Sequence, residues 1–120
     1  MKYFFDTYAI IEIIRENKNY EQYSEEEIVT SVLNLGELYY SLLKEKGENE
    51  ANNWHEKLKQ AALAVNAEII RKAMTFRYNN KNKNLSFIDC VGCKMAEEKG
   101  LVFLTGDKEF EGFHNVEFVK

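Results

Sequence analysis

Of the twenty acidic residues in this chain only three are aspartates, Asp6, Asp89 and Asp107. On a solvated face the two acids are nearly interchangeable, and Glu is the better helix former. Use of the shorter acid marks places where a carboxylate must be fixed close to the backbone. Two tasks need that: capping a helix N-terminus and holding a hard metal ion. Each acid has a local structural use. Asp6 follows the apolar run of "YFFDTYAII" and suits an N-cap. Asp89 in "SFID" stands three residues after Ser86, a capping-box spacing in which Glu is commoner. Asp107 in "TGDKEF" suits a turn. Glu37 in "NLGE" is either an exposed helix acid or a partner to a capping Asn34.

The elements that must carry these residues follow from the apolar pattern. "KYFF" reads as a short buried strand ending at Asp6, and "TYAIIEIIREN" sets Ile10, Ile11 and Ile14 at helical spacing. "EEIVTS", residues 26–31, is a second strand. It opens into a helix with Leu35, Leu38 and Leu42 on one face and a stop at Gly47. Residues 49–80 read as helical throughout, in two helices broken near Val65–Asn66, and 78–86 as a polar loop. A further helix over 86–100 precedes the strand "LVFLT", 101–105, and "VEFV" forms the last strand.

Strands alternating with helices imply parallel pairing through right-handed crossovers, and so an α/β sheet covered on both faces. Ligands in such sheets sit beyond the carboxyl ends of the strands. Asp6 and Asp107 both follow strands and therefore share that edge. Asp89 falls in the first turn of its helix. Glu37 lies about 9 Å into its own helix at about 1.5 Å per residue, where a longer side chain is needed to reach back. Gly36 costs about 1 kcal/mol against Ala in mid-helix and is expected to open space for a close approach. Four converging carboxylates raise one another's pKa values unless a cation joins them. Mg²⁺ or Mn²⁺ prefers oxygen-only ligation of this kind.

The order "FFDTYAII", "NLGE", "SFIDCVGCKMAEEKGLVFLTGDKEF" resembles a PIN domain over nearly the whole chain, and its length resembles VapC-type toxins of toxin–antitoxin pairs. The resemblance implies a three-layer α/β/α fold with a central parallel sheet of four to five strands. It implies Mg²⁺ or Mn²⁺ held by Asp6, Glu37, Asp89 and Asp107, with Thr105 helping to organise the site. It also implies cleavage of an RNA substrate, a homodimer and a neutralising antitoxin protein. Many relatives carry a second aspartate two residues after the Thr-x-Asp acid; here that residue is Glu109, which leaves a second metal open. The rival is a PIN-like scaffold without catalysis. A haloacid-dehalogenase reading is rejected, because it needs an aspartate where Tyr8 stands.

The bulk numbers set the frame. The 120 residues suit a single domain, 1–120, and 45% hydrophobic content with 13% aromatics is that of a globular chain. No apolar run approaches a membrane span and no leader pattern is present, so the expected location is cytoplasmic. A net charge of −4 argues against nucleic-acid binding by bulk electrostatics, though not against a nuclease with acids at its centre. Basic residues gather in 69–84, where Arg71, Lys72, Arg77, Lys81 and Lys83 interleave with Phe76 and Tyr78, a mixture suited either to phosphates and stacked bases or simply to a helix end and a solvated loop. Cys90 and Cys93 have no second pair to complete a zinc site and read as small buried hydrophobes. His55 and His114 lack partner motifs and read as surface residues.

Overall fold

The computed structural model describes residues 2–120. Its first strand, β1 (Tyr3–Phe5), leads directly into α1 (Thr7–Ile14). A 3-10 turn at Lys18–Tyr23 returns the chain to β2 (Thr30–Ser31), which opens into α2 (Val32–Lys46) and α3 (Glu48–Leu58). Then come β3 (Ala62–Leu63), α4 (Ala67–Asn79), α5 (Phe87–Glu98), β4 (Val102–Thr105) and β5 (Val116–Phe118).

All strand pairs are parallel. β4 lies between β1 and β5, with Tyr3 opposite Val102 and Thr105 opposite Phe118, while β2 pairs with β3. The two ladders are joined where Phe5 N–H donates to Val29 O at 2.8 Å and the Thr30 hydroxyl donates to Phe5 O at 2.8 Å. The four strands read from the sequence are present, and β3 is a fifth inside the segment read as helical; the five are hydrogen-bonded as three plus two.

Side chains alternate across each strand, and this divides the core into two. Phe4 and Phe103 point to one face, where they meet Ile69, Ala73, Cys90, Val91 and Cys93 of α4 and α5. Tyr3, Phe5 and Leu104 point to the other, against Ile10 of α1, Leu38 and Leu42 of α2, and Leu58 of α3. Helices thus cover both faces, giving the three layers. On the first face Gly92 permits close packing of α5 on the sheet, since a Cβ there would come within 3.0 Å of both Phe4 and Phe103. Cys90 and Cys93 are free, buried thiols in this core, and burial pushes them up to about 11 and about 12.

Three expectations change. Only Thr30–Ser31 of the 26–31 strand enters a ladder, because Glu25, Glu26 and Glu27 are exposed in the preceding turn. The helical run over 49–80 is interrupted more deeply than the break at Val65–Asn66 implied. A 3-10 turn at Lys59–Ala61 is followed by β3, where pairing with β2 overrides the helix propensity of the Ala-rich segment. At Gly36 a Cβ would meet nothing within 4 Å, so the residue faces open space and makes no close approach. Among the described residues no helix is long and apolar enough to cross a membrane.

Candidate active site

The end of β1 delivers Asp6 to the carboxyl edge of the sheet, where its extended backbone begins α1. The side chain is 2% exposed. One carboxylate oxygen accepts from Thr7 N–H at 2.8 Å and the other from the Thr105 hydroxyl at 2.6 Å. Thr105 ends the neighbouring strand β4, and its hydroxyl oxygen accepts from Asp107 N–H at 3.1 Å. Asp107 in turn accepts from Glu109 N–H at 3.0 Å and starts a short 3-10 turn at Lys108–Phe110. A single hydroxyl therefore orients Asp6 and fixes the backbone that carries Asp107. Between them, Gly106 lies against the Tyr8 ring so closely that any Cβ would overlap it.

Glu37 arrives from α2. The helix is capped by Ser31, whose hydroxyl accepts from Asn34 N–H at 3.1 Å and donates to the Asn34 side chain at 2.7 Å. Asn34 is thus the buried receiver of the cap and not the cap itself. Its amide donates to the Thr7 hydroxyl at 3.0 Å, which ties the start of α2 to the start of α1 beside Asp6. Glu37 sits one turn further on and forms no ion pair among the described residues.

Asp89 comes from the first turn of α5, where the Ser86 hydroxyl accepts Asp89 N–H at 3.1 Å. Its carboxyl group faces that of Asp6, and each perturbs the other. Burial raises the pKa of Asp6, and the charge of Glu37 adds to this against the lowering effect of the Thr105 and Thr7 hydrogen bonds. Burial also raises Asp89, with the Asp6 charge next in weight and Glu37 behind it. This is the behaviour of like charges gathered in a poorly hydrated place.

All four acids line one cleft of about 470 Å³, together with Tyr8, Lys108 and Lys120. Neither His55 nor His114 lines it. Among the described residues no three His, Cys, Asp or Glu side chains stand close enough to hold one ion as they are placed. The donor set nevertheless suits a divalent cation. It is oxygen-only, and an Asp6–Asp89 pair whose pKa values are raised by burial and mutual charge is one that a cation would relieve. Glu109, the departure noted in the sequence, points elsewhere: its carboxylate accepts Asn84 N–H at 3.2 Å and so ties the 80–86 loop to this edge.

Sequence reasoning missed Tyr8, Lys108, Lys120 and the Ser31–Asn34–Thr7 network. "TGDK" marks Lys108 only once Asp107 is accepted as a site residue. Lys120 lies beyond the last strand and carries no local signal.

The family model for the PIN domain matches residues 3–116. The chain belongs to the PIN domain family. No curated protein matches it by sequence. Among solved structures it is similar to VapC20 of Mycobacterium tuberculosis, described as a sarcin–ricin loop cleaving toxin. That match has a TM-score of 0.78 and 18% identity, covering 97% of this chain and 99% of the other. It is also similar to a toxin–antitoxin complex from Klebsiella pneumoniae, with a TM-score of 0.76 and 17% identity over 98% and 96% of the two chains. VapBC2 from Rickettsia felis, bound to a fragment of its promoter DNA, matches with a TM-score of 0.72 and 17% identity over 98% of each chain. At these identities the likeness is one of fold.

Proposed function

We propose that this chain is a divalent-metal-dependent endoribonuclease that acts in the cytoplasm as the toxin of a toxin–antitoxin pair. The observation that carries the reading is the meeting of Asp6, Glu37, Asp89 and Asp107, from four separate segments, in one cleft at the carboxyl edge of the sheet. PIN-family membership supports it, as do structural neighbours described as toxins and toxin–antitoxin complexes.

In this reading the four acids hold Mg²⁺ or Mn²⁺. The ion, when bound, supplies an activated water and neutralises charge developing on the phosphodiester. The chain's own residues do the rest. Thr105 keeps Asp6 in one orientation, so little side-chain entropy remains to be lost on binding. Tyr8 packs against Gly106 and forms one wall of the cleft beside Asp6. Lys108 and Lys120, in the same cleft, meet the negative charge of the substrate backbone. No histidine is required.

A neutralising antitoxin and a second copy of the chain complete the proposal. The exposed apolar stripe of Val32, Tyr40 and Leu43 on α2 is open to such partners.

The test is cleavage of a mixed panel of fluorescent RNAs by the wild type and Asp6→Asn, with Mn²⁺, Mg²⁺ or EDTA. Cutting that needs metal and vanishes in the variant is the expected result. Cutting that survives the substitution would sink the mechanism, and a protein that neither cuts nor binds Mn²⁺ would be a scaffold.

A further inference from the structure

The chain has a net charge of −4, yet one face collects cations that nothing in the fold neutralises. Early in α4 the basic residues are paired. Arg71 meets Glu68 at 2.7 Å and Lys72 meets Glu98 at 3.4 Å, while Lys94 of α5 meets Glu97 at 3.1 Å. Farther along the chain the pairing stops. Arg77, Lys81 and Lys83 form no ion pair among the described residues. Arg77 Nε donates to Leu85 O at 3.0 Å, which braces its stem while its charge stays uncompensated. Lys81 Nζ lies 4.6 Å from the centre of the Tyr78 ring, and Tyr78 is 67% exposed. With Asn84 these residues line an open cavity of about 410 Å³ whose wall holds no acid.

This cavity shares no lining residue with the acidic cleft, but short stretches of chain tie the two together. Asn84 N–H is held by Glu109, two residues past Asp107. Ser86, two residues past Asn84, caps the helix that carries Asp89. From Lys83 to Asp89 the chain spans at most about 17 Å, taking about 3.6 Å per loop residue and about 1.5 Å per helical residue. That is a few nucleotides of extended strand.

Resting on the nuclease reading, we propose that this face is the track for single-stranded RNA flanking the scissile bond, with phosphates on Arg77, Lys81 and Lys83 and a base stacked on Tyr78. Charge complementarity selects a polyanion. The exposed ring selects a nucleic acid over an acidic protein segment, because bases offer a face to stack on. Asn79, Asn80, Asn82 and Asn84 separate the cations with amides that both donate and accept, as sugar and base edges require. Glu109 is then a positioning residue that holds the track beside the acids.

The experiment is anisotropy of a short mixed-sequence fluorescent RNA in EDTA, over a range of salt. It compares the full chain with Lys81→Ala/Lys83→Ala, Tyr78→Ala and Tyr78→Phe, with Mn²⁺ binding followed by calorimetry. The double variant should bind RNA about tenfold more weakly, and its salt slope should be shallower by about 1.4, at about 0.7 per lost contact on a single strand. Tyr78→Ala should also lose about tenfold, and Tyr78→Phe should retain affinity. Mn²⁺ binding should be the same in all. With subsaturating RNA and metal, the double variant should lose rate through KM and keep kcat.

An unchanged affinity and slope in the double variant would overturn the track, as would a wild type that binds no RNA or that binds a polyglutamate peptide equally well. The two readings fail separately. RNA held by these residues but never cut would retire the nuclease and keep the track. Cutting undiminished in the double variant would keep the nuclease and retire the track.

Discussion

Replacing Asp89 with Asn should make the metal-free protein more stable while abolishing its activity. Asp89 is raised well above its ordinary value of 3.8, first by burial and then by the charges of Asp6 and Glu37. If it keeps its proton in the fold at pH 7, folding must take up a proton that the unfolded chain has released. The interval is about 3 pH units, which at about 1.4 kcal/mol per unit costs about 4 kcal/mol. At pH 5 the same interval is about 1 unit and the cost about 1–2 kcal/mol. The amide of the Asp89→Asn variant carries no such cost and can donate to Asp6. Relaxation and water in the open cleft reduce the gain, so the substitution should add about 2–4 kcal/mol at pH 7 and about 1 kcal/mol at pH 5. The sign follows from a raised carboxylate: wild-type stability falls as pH rises from the ordinary carboxylate range towards the raised pKa. Urea unfolding at the two pH values in EDTA measures the difference. Saturating Mn²⁺ should narrow the difference, since the wild type gains more binding free energy from the metal than the variant does. A variant no more stable than wild type at pH 7, or a gain that grows as pH falls, would refute the reasoning.

Three more expectations can be checked with single substitutions or reagents. Gly36→Ala should stabilise the fold by about 1 kcal/mol, because the position is helical and open, and thermal unfolding reads it. Thr105→Val removes the donor to Asp6 and the acceptor for Asp107 N–H; it should cost about 1–3 kcal/mol in urea unfolding. Because the Thr105 hydrogen bond lowers the Asp6 pKa, its loss should also move half-maximal Mn²⁺ binding to higher pH. Cys90 and Cys93, buried with raised pKa values, should be unreactive towards a thiol reagent in the folded protein and titrate fully in denaturant.

Much of this architecture was legible because chemistry and periodicity coincide in the sequence. The apolar runs ending at Asp6 and Thr105 place two acids at one edge on pattern alone. The local uses proved compatible with the shared one: Asp6 starts α1 and Asp107 starts a 3-10 turn while both line the cleft. What stayed hidden depends on contacts between distant segments. β2 reads as a strand but too long a one, and β3, two residues that pair with β2, reads as helix because its pattern is too short to show that pairing. Asn34 reads as a cap because the sequence shows spacing and not direction; the hydrogen bonds give that role to Ser31. Gly36 reads as a close approach on its cost alone, whereas only the neighbouring atoms show that the space is open. Glu109 looks like a weakened ligand, and its bond to Asn84 N–H shows a different task.

The central claim is that Asp6, Glu37, Asp89 and Asp107 act together on one kind of ion. Calorimetric Mn²⁺ titration of the wild type, Asp6→Asn, Glu37→Gln, Asp89→Asn, Asp107→Asn and Glu109→Gln tests it most directly. The account predicts that the wild type binds, that each of the first four variants binds at least about tenfold more weakly, and that Glu109→Gln binds as the wild type does. A wild type that takes up no Mn²⁺, or affinity indifferent to the four substitutions, would contradict it.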